Sequence, residues 1–141
     1  MVIYLDTGAL LKLYIEEEGR DLVREAVAVA ISAVTSTIAY AEARAGLARR
    51  FREEDFTEEE YGRATSKLDE QWIGYERLAV SGSIAHSAGD LAERHALRGF
   101  DAVHLASALW FSKKFEERRF LAFDDRLSLA ARDASLNLYE S

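Results

Sequence analysis

The sequence predicts an α/β fold built on a mainly parallel sheet. Three observations carry this expectation. The opening run Met1–Leu5 is apolar without alternation, as suits a strand buried on both faces. Short apolar or β-branched runs then recur between longer helical patterns, the order that builds a parallel sheet. No repeat, low-complexity tract or linker divides the 141 residues, which read as one domain, 1–141.

The elements follow in order. Met1–Leu5 is stopped by Asp6–Thr7–Gly8, which turns the chain into a short helix from Ala9 to Tyr14. Glu16–Gly19 breaks that pattern, and a second helix is expected from Arg20 to Ala30. Ile31–Ser36 reads as the second strand, with β-branched Val34 and Thr35. Ser36 and Thr37 suit an N-cap, and the alanine- and arginine-rich stretch Ile38–Phe51 favours helix. Glu53–Asp55 is a polar break. Thr57 with Glu60 three residues on has the form of a capping box, opening a helix to Trp72.

Leu78–Val80 is a short third strand, ended by Ser81–Gly82–Ser83. Ile84–Ala96 is helical with Gly99 as its stop, and Asp101 opens another helix through Lys113. Arg119–Phe123 is the fourth strand, followed by Asp124 and a short helix, Asp125–Arg132. Leu136–Tyr139 reads as a final strand.

Composition narrows the chemistry. The absence of cysteine excludes disulfides, thiolate metal sites and cysteine nucleophiles, and fits a reducing compartment. The longest apolar stretches, such as Ala26–Ile31, are far too short to span a bilayer, and the start carries no basic leader pattern. A soluble cytoplasmic protein with no membrane partner is expected. The formal net charge of −7 counts against nucleic acid as a partner. Clustered carboxylates that hold cations would weaken that objection, because bound metal reverses the local field.

Four carboxylates occupy comparable places. Ligand sites of open parallel sheets form beyond the carboxyl ends of the strands. Asp6 ends the first strand, Asp124 ends the fourth, Glu42 lies in the helix after the second, and Asp101 opens a helix after a glycine turn. All four can converge at one edge. Asp6, Asp101 and Asp124 are also natural helix caps, and that reading stays open. Glu42 has Ile38, Ala45 and Gly46 at its helical neighbour positions and no intrahelical cation. On a buried face its carboxylate needs a metal or a cation from elsewhere.

Magnesium and manganese prefer carboxylate and water oxygen. They activate water at neutral pH and neutralise charge on a phosphodiester, without need of cysteine or histidine. His86, His95 and His104 make no convincing zinc set; His104, three residues after Asp101, suits packing or the orienting of a ligand. Asp90 and Asp125 are further acids, read as solvated or capping.

Together these residues resemble a PIN domain, in its VapC branch. The resemblance runs through Tyr4–Leu5–Asp6–Thr7–Gly8–Ala9, Ser36–Thr37–Ile38–Ala39–Tyr40–Ala41–Glu42, Leu97–Arg98–Gly99–Phe100–Asp101–Ala102–Val103–His104 and Phe120–Leu121–Ala122–Phe123–Asp124–Asp125. Each motif alone is weak; the ordered set covers nearly the whole chain. The resemblance implies a three-layer α/β/α fold with helices on both faces of a central sheet of about five strands. It also implies RNA cleavage dependent on magnesium or manganese, a homodimer, and inhibition by a cognate antitoxin.

Carried over by position, Asp6, Glu42, Asp101 and Asp124 form the acidic cluster. Asp6 and Asp101 are the first choices as direct metal ligands, with Glu42 and Asp124 binding directly or through water. Thr7 is expected to hydrogen-bond a ligand or a phosphate. The sequence departs from the family pattern at Ala122 and Gly8, where hydroxyl residues are common, and Asp125 beside Asp124 leaves the choice between them open.

RNA needs positive charge. Arg44, Arg49, Arg50 and Arg52 lie on or near the helix of Glu42, and Lys113, Lys114, Arg118 and Arg119 form a second group. Either is an RNA path or an ordinary solvated face. Two rival functions remain at this point. A haloacid-dehalogenase-like phosphatase also has an aspartate after its first strand, but it needs a second two residues on, where this chain has Gly8. A non-catalytic PIN-like binding module is the other.

Overall fold

The computed structural model describes residues 1–53, 56–112 and 117–140. Its elements are β1 (Val2–Leu5), α1 (Thr7–Leu11), α2 (Arg20–Val29), β2 (Ser32–Ser36), α3 (Ile38–Arg52), α4 (Glu58–Trp72), β3 (Glu76–Leu78), α5 (Gly82–His95), α6 (Gly99–Ser112), β4 (Arg118–Leu121) and α7 (Asp125–Asp133). Among the described residues the sheet has four strands in the order β3-β2-β1-β4, and every pairing is parallel.

The unbroken apolar run of β1 has a direct cause. Val2 and Tyr4 enter the core on one face, with Val34, Phe120 and the buried sides of α5, α6 and α7. Ile3 and Leu5 enter the other, with residues of α1 to α4. A strand covered on both sides has no face left for polar residues. The result is the expected α/β/α sandwich.

Local chemistry sets most of the boundaries. Thr57 and Glu60 form the capping box at α4, each side chain taking the other's backbone N–H at 3.1 and 3.0 Å. Ser81 caps α5 through Ile84 N–H at 3.1 Å. The first helix starts at Thr7 rather than Ala9, because Asp6 already caps it.

Three expectations are corrected. The sheet has four strands, not five: the Leu136–Tyr139 segment reduces to one parallel bridge, Phe120 to Leu138, held by the backbone bonds Phe120 N–H to Asn137 O and Tyr139 N–H to Phe120 O. The third strand is Glu76–Leu78, because pairing with Val34–Ser36 of β2 rather than local apolarity defines this exposed edge. Gly99 does not stop α5; Ala96 does, in the left-handed region at φ 53°, and Gly99 already begins α6. Asp101 therefore stands inside the first turn of α6 instead of opening it. No helix among the described residues is long and apolar enough to cross a membrane.

Candidate active site

β1 is where the connections diverge. The chain leaves it toward β2 on one side, while β4 pairs along its other side. Ligand sites form at such a switch point, beyond the strand ends. Asp6 follows β1 and Asp124 closely follows β4, and Asp6 N–H still reaches Leu121 O at 3.4 Å.

Asp6 is 5% exposed. Its Oδ1 accepts the Ala9 N–H at 2.8 Å, so the helix-cap role is real. The cap does not offset the surroundings. Burial, with nearby Asp101 and Glu42 adding to it, pushes the carboxyl up to about 6 despite the opposing effects of His104 and the Ala9 bond.

Glu42 reaches the same place from α3. Its Oε1 accepts the Thr7 hydroxyl at 2.5 Å and lies 3.1 Å from His104 Nε2. Burial raises its carboxyl, but the hydrogen bonds from His104 and Thr7 outweigh it and leave the group below the usual range. The compensation that its own helix lacks thus comes from α1 and α6. His104, 1% exposed, also meets Tyr4 Oη through Nδ1 at 2.9 Å and Thr7 Oγ1 through Nε2 at 2.9 Å.

Asp101 and Asp124 are joined by Arg98. Its Nε donates to Asp101 Oδ2 at 3.1 Å, and its Nη2 stands 4.0 Å from Asp124 Oδ2. Asp101, Asp124 and Glu42 together hold the Arg98 guanidinium above its ordinary range. Asp124 also caps α7 through Leu127 N–H at 2.8 Å, whereas Asp125 sits in the first turn of that helix. A groove of about 380 Å³ runs past Arg98, Asp101, Asp124, Asp125 and Arg126.

The fold therefore gathers Asp6, Glu42 and Asp101 into one electrostatic neighbourhood and ties Asp124 to it through Arg98. Among the described residues, no three carboxylate or histidine side chains stand close enough to hold a metal ion as they are. The donors suit a hard cation in kind, being carboxylate oxygens only. Asp6 is a buried acid, and among the described residues it forms no ion pair of the kind that Arg98 gives Asp101.

The PIN-domain family model matches residues 3–133. The chain belongs to the PIN-domain family.

Within that family, this PIN domain is 39% identical over 108 residues to ribonuclease VapC45 of Mycobacterium tuberculosis, covering 77% of this chain and 75% of the relative. Its fold is similar to the Mycobacterium tuberculosis toxin VapC20, described as cleaving the sarcin–ricin loop, at a TM-score of 0.67 and 19% identity over 91% of this chain and 94% of that one. It is also similar to a chain of a toxin–antitoxin complex from Klebsiella pneumoniae, with a TM-score of 0.62 and 19% identity over 86% of each chain. The family match sets aside the phosphatase alternative.

The basic residues of this PIN domain are partly engaged. Arg44 donates to Tyr40 Oη at 2.7 Å and lies 3.9 Å from Asp69, bracing α3 against α4. Arg50 pairs with Glu17, which Lys12 also holds at 3.0 Å. Arg49 is exposed on α3. Arg118 and Arg119 lie half-buried on β4, and Lys113 and Lys114 fall outside the described residues.

Sequence reasoning did not single out Arg98 or Tyr4. Arg98 stands three residues before Asp101, the spacing that lets side chains meet on a helix. Tyr4 is a phenol inside an apolar strand, and a buried hydroxyl normally has a partner.

Proposed function

We propose that this PIN domain is an endoribonuclease that hydrolyses RNA phosphodiesters with Mg²⁺ or Mn²⁺, and that it is the toxin of a toxin–antitoxin pair. One observation carries the reading. Asp6, an acid raised by burial, shares its neighbourhood with Asp101 and Glu42 at the switch point of the sheet, in a chain 39% identical to a ribonuclease.

Asp6 and Asp101 are the direct ligands, and Glu42 and Asp124 bind directly or through water. When bound, a divalent ion supplies water activation at neutral pH and charge neutralisation at the phosphodiester. The chain's own groups do the positioning. Thr7 and His104 fix Glu42, and Ala9 N–H fixes one oxygen of Asp6. Arg98 is exposed and gives up its carboxylate partners readily, because pairs in water are weak. The RNA approaches along the groove past Asp101 and Asp124, with exposed Arg49 among its contacts.

The partner reading follows the relatives. One structural neighbour is a chain of a toxin–antitoxin complex, and a cognate antitoxin is the regulator proposed here. A homodimer in the cytoplasm, built from a single domain, completes the reading.

The test uses the purified full chain, freed of any copurifying antitoxin. Cleavage of RNA is expected with Mg²⁺ or Mn²⁺ and not in EDTA. Asp6→Asn and Asp101→Asn abolish it while leaving circular dichroism unchanged. Cleavage in EDTA, or full cleavage by both variants, would overturn the proposal.

A further inference from the structure

We propose that Tyr4 and His104 are positioning residues that hold Glu42 by one carboxylate oxygen and present the other to the reaction site. The inference deepens the ribonuclease reading and rests on it for the role of Glu42.

The argument begins with which atoms can donate. Tyr4 is buried between β1 and the helices of its face, its ring stacked on Phe120 at 5.6 Å. His104 Nε2 faces the Glu42 carboxylate, an acceptor only, so the ring proton belongs on Nε2 and Nδ1, 2.9 Å from Tyr4 Oη, accepts from that hydroxyl. Nε2 meets two oxygens: Thr7 Oγ1 at 2.9 Å and Glu42 Oε1 at 3.1 Å.

Thr7 has a single hydroxyl proton and gives it to Glu42 Oε1 at 2.5 Å. Toward Nε2 its oxygen is therefore an acceptor. Every donor in the chain Tyr4, His104, Glu42 faces an acceptor, and one tautomer satisfies all of them.

The consequence concerns Glu42. Among the described residues, the hydrogen bonds to this carboxylate both fall on Oε1. One oxygen is saturated and the side chain is fixed in rotation. Oε2 takes part in neither bond and is left for the reaction site, and Glu42 is close enough to Asp6 and Arg98 to influence both. The order also explains why a tyrosine occupies an otherwise aliphatic strand. Phenylalanine would fill the same space and leave Nδ1 without a donor. The other tautomer, with its proton on Nδ1, would set a bare Nε2 against a carboxylate.

The arrangement reaches the site through another residue, so its test separates positioning from packing. Tyr4→Phe keeps the stack on Phe120 and the edge contact of its ring with His104 at 5.9 Å, and removes only the hydroxyl. Three measurements decide. Long-range ¹H–¹⁵N NMR of the wild-type full chain, free of antitoxin and metal, reads the His104 tautomer directly; the proton is expected on Nε2. Mn²⁺ binding, followed by electron paramagnetic resonance without RNA, is expected to weaken about 10–100-fold in Tyr4→Phe. In RNA cleavage kcat is expected to fall by a similar factor with KM little changed. His104→Gln, whose amide can still donate to Glu42, recovers part of what His104→Leu loses.

A proton on Nδ1, or on both ring nitrogens, overturns the proposal. So does a Tyr4→Phe protein with wild-type Mn²⁺ affinity. Wild-type protein that binds Mn²⁺ but cuts no RNA overturns the ribonuclease reading instead, and the tautomer and Mn²⁺ affinity still decide the positioning role.

Discussion

Asp6 accepts the backbone N–H of Ala9 at 2.8 Å, so the residue that ends β1 also begins α1. The helix cap and the proposed site acid are the same side chain. The cap fixes Oδ1 and sets the carboxyl at the sheet edge. Burial there makes its charge costly.

That cost predicts a gain on neutralisation. The Asp6 carboxyl is raised from 3.8 to about 6. A raised acid is penalised when ionised in the fold, so the penalty is absent below its unfolded value. It grows as pH rises between the two values and is complete above the higher one. Asparagine keeps the acceptor for Ala9 and removes the charge. In EDTA at pH 7.5, Asp6→Asn is expected to be more stable than wild type by about 1–3 kcal/mol. The gain shrinks toward pH 4.5. Urea unfolding at both pH values measures it, and Mn²⁺ raises the stability of wild type but not of the variant. A variant less stable at both pH values would refute the account of Asp6.

Thr7 offers a sharper separation. From the sequence its hydroxyl was expected to serve a ligand or a phosphate. In the structure the proton goes to Glu42. Thr7→Val keeps the branched shape and loses the bond. With Glu42 as the proposed metal ligand, its kcat is expected to fall about tenfold on losing the group that orients it. RNA affinity, read by fluorescence anisotropy with EDTA present, is expected to stay unchanged. A loss of RNA affinity with kcat intact would assign the hydroxyl to phosphate after all.

What could be read beforehand divides by distance along the chain. Thr57 and Glu60 lie three residues apart, and their capping box was visible as a pattern. The two-faced burial of β1 was visible because five consecutive apolar residues leave no polar face. Tyr4 and His104 are 100 residues apart, and only the fold makes them neighbours. Ala96 defeats a local rule: a non-glycine takes the left-handed turn that Gly99 was expected to supply. The edge strand β3 and the bridge at Leu138 depend on what β2 and β4 offer as partners, which no local pattern encodes. The four acids were singled out because Asp6 and Asp124 follow strands, Asp101 follows a glycine turn, and Glu42 sits on a helix face without an intrahelical cation. Arg98 among them was not, since an exposed arginine in the link between two helices looks ordinary until its partners are known.

The Thr57 cap gives a control remote from this chemistry. Thr57→Ala removes the acceptor for Glu60 N–H at 3.1 Å. A loss of about 1 kcal/mol in urea unfolding is expected. RNA cleavage per folded molecule is expected to stay at the wild-type level, and a large fall would mean that α4 acts on the site.

Gly19 tests the link between the α2 start and the site edge. Its φ is 94°, in the region that disfavours any side chain. A Cβ there would also stand 2.6 Å from the ring of Phe123, the residue before Asp124. The Lys12 ammonium lies over the same ring, 4.5 Å from its centroid, and Lys12 in turn holds Glu17. Gly19→Ala therefore combines backbone strain with a clash, and a loss of about 1–3 kcal/mol is expected. If Phe123 moves, Asp124 moves with it, and the ¹H–¹⁵N resonances of Asp124 and Leu127 shift while those of the α4 capping box do not. Unchanged stability with unchanged Asp124 and Leu127 resonances would show that the α2 start and the Asp124 cap are mechanically independent.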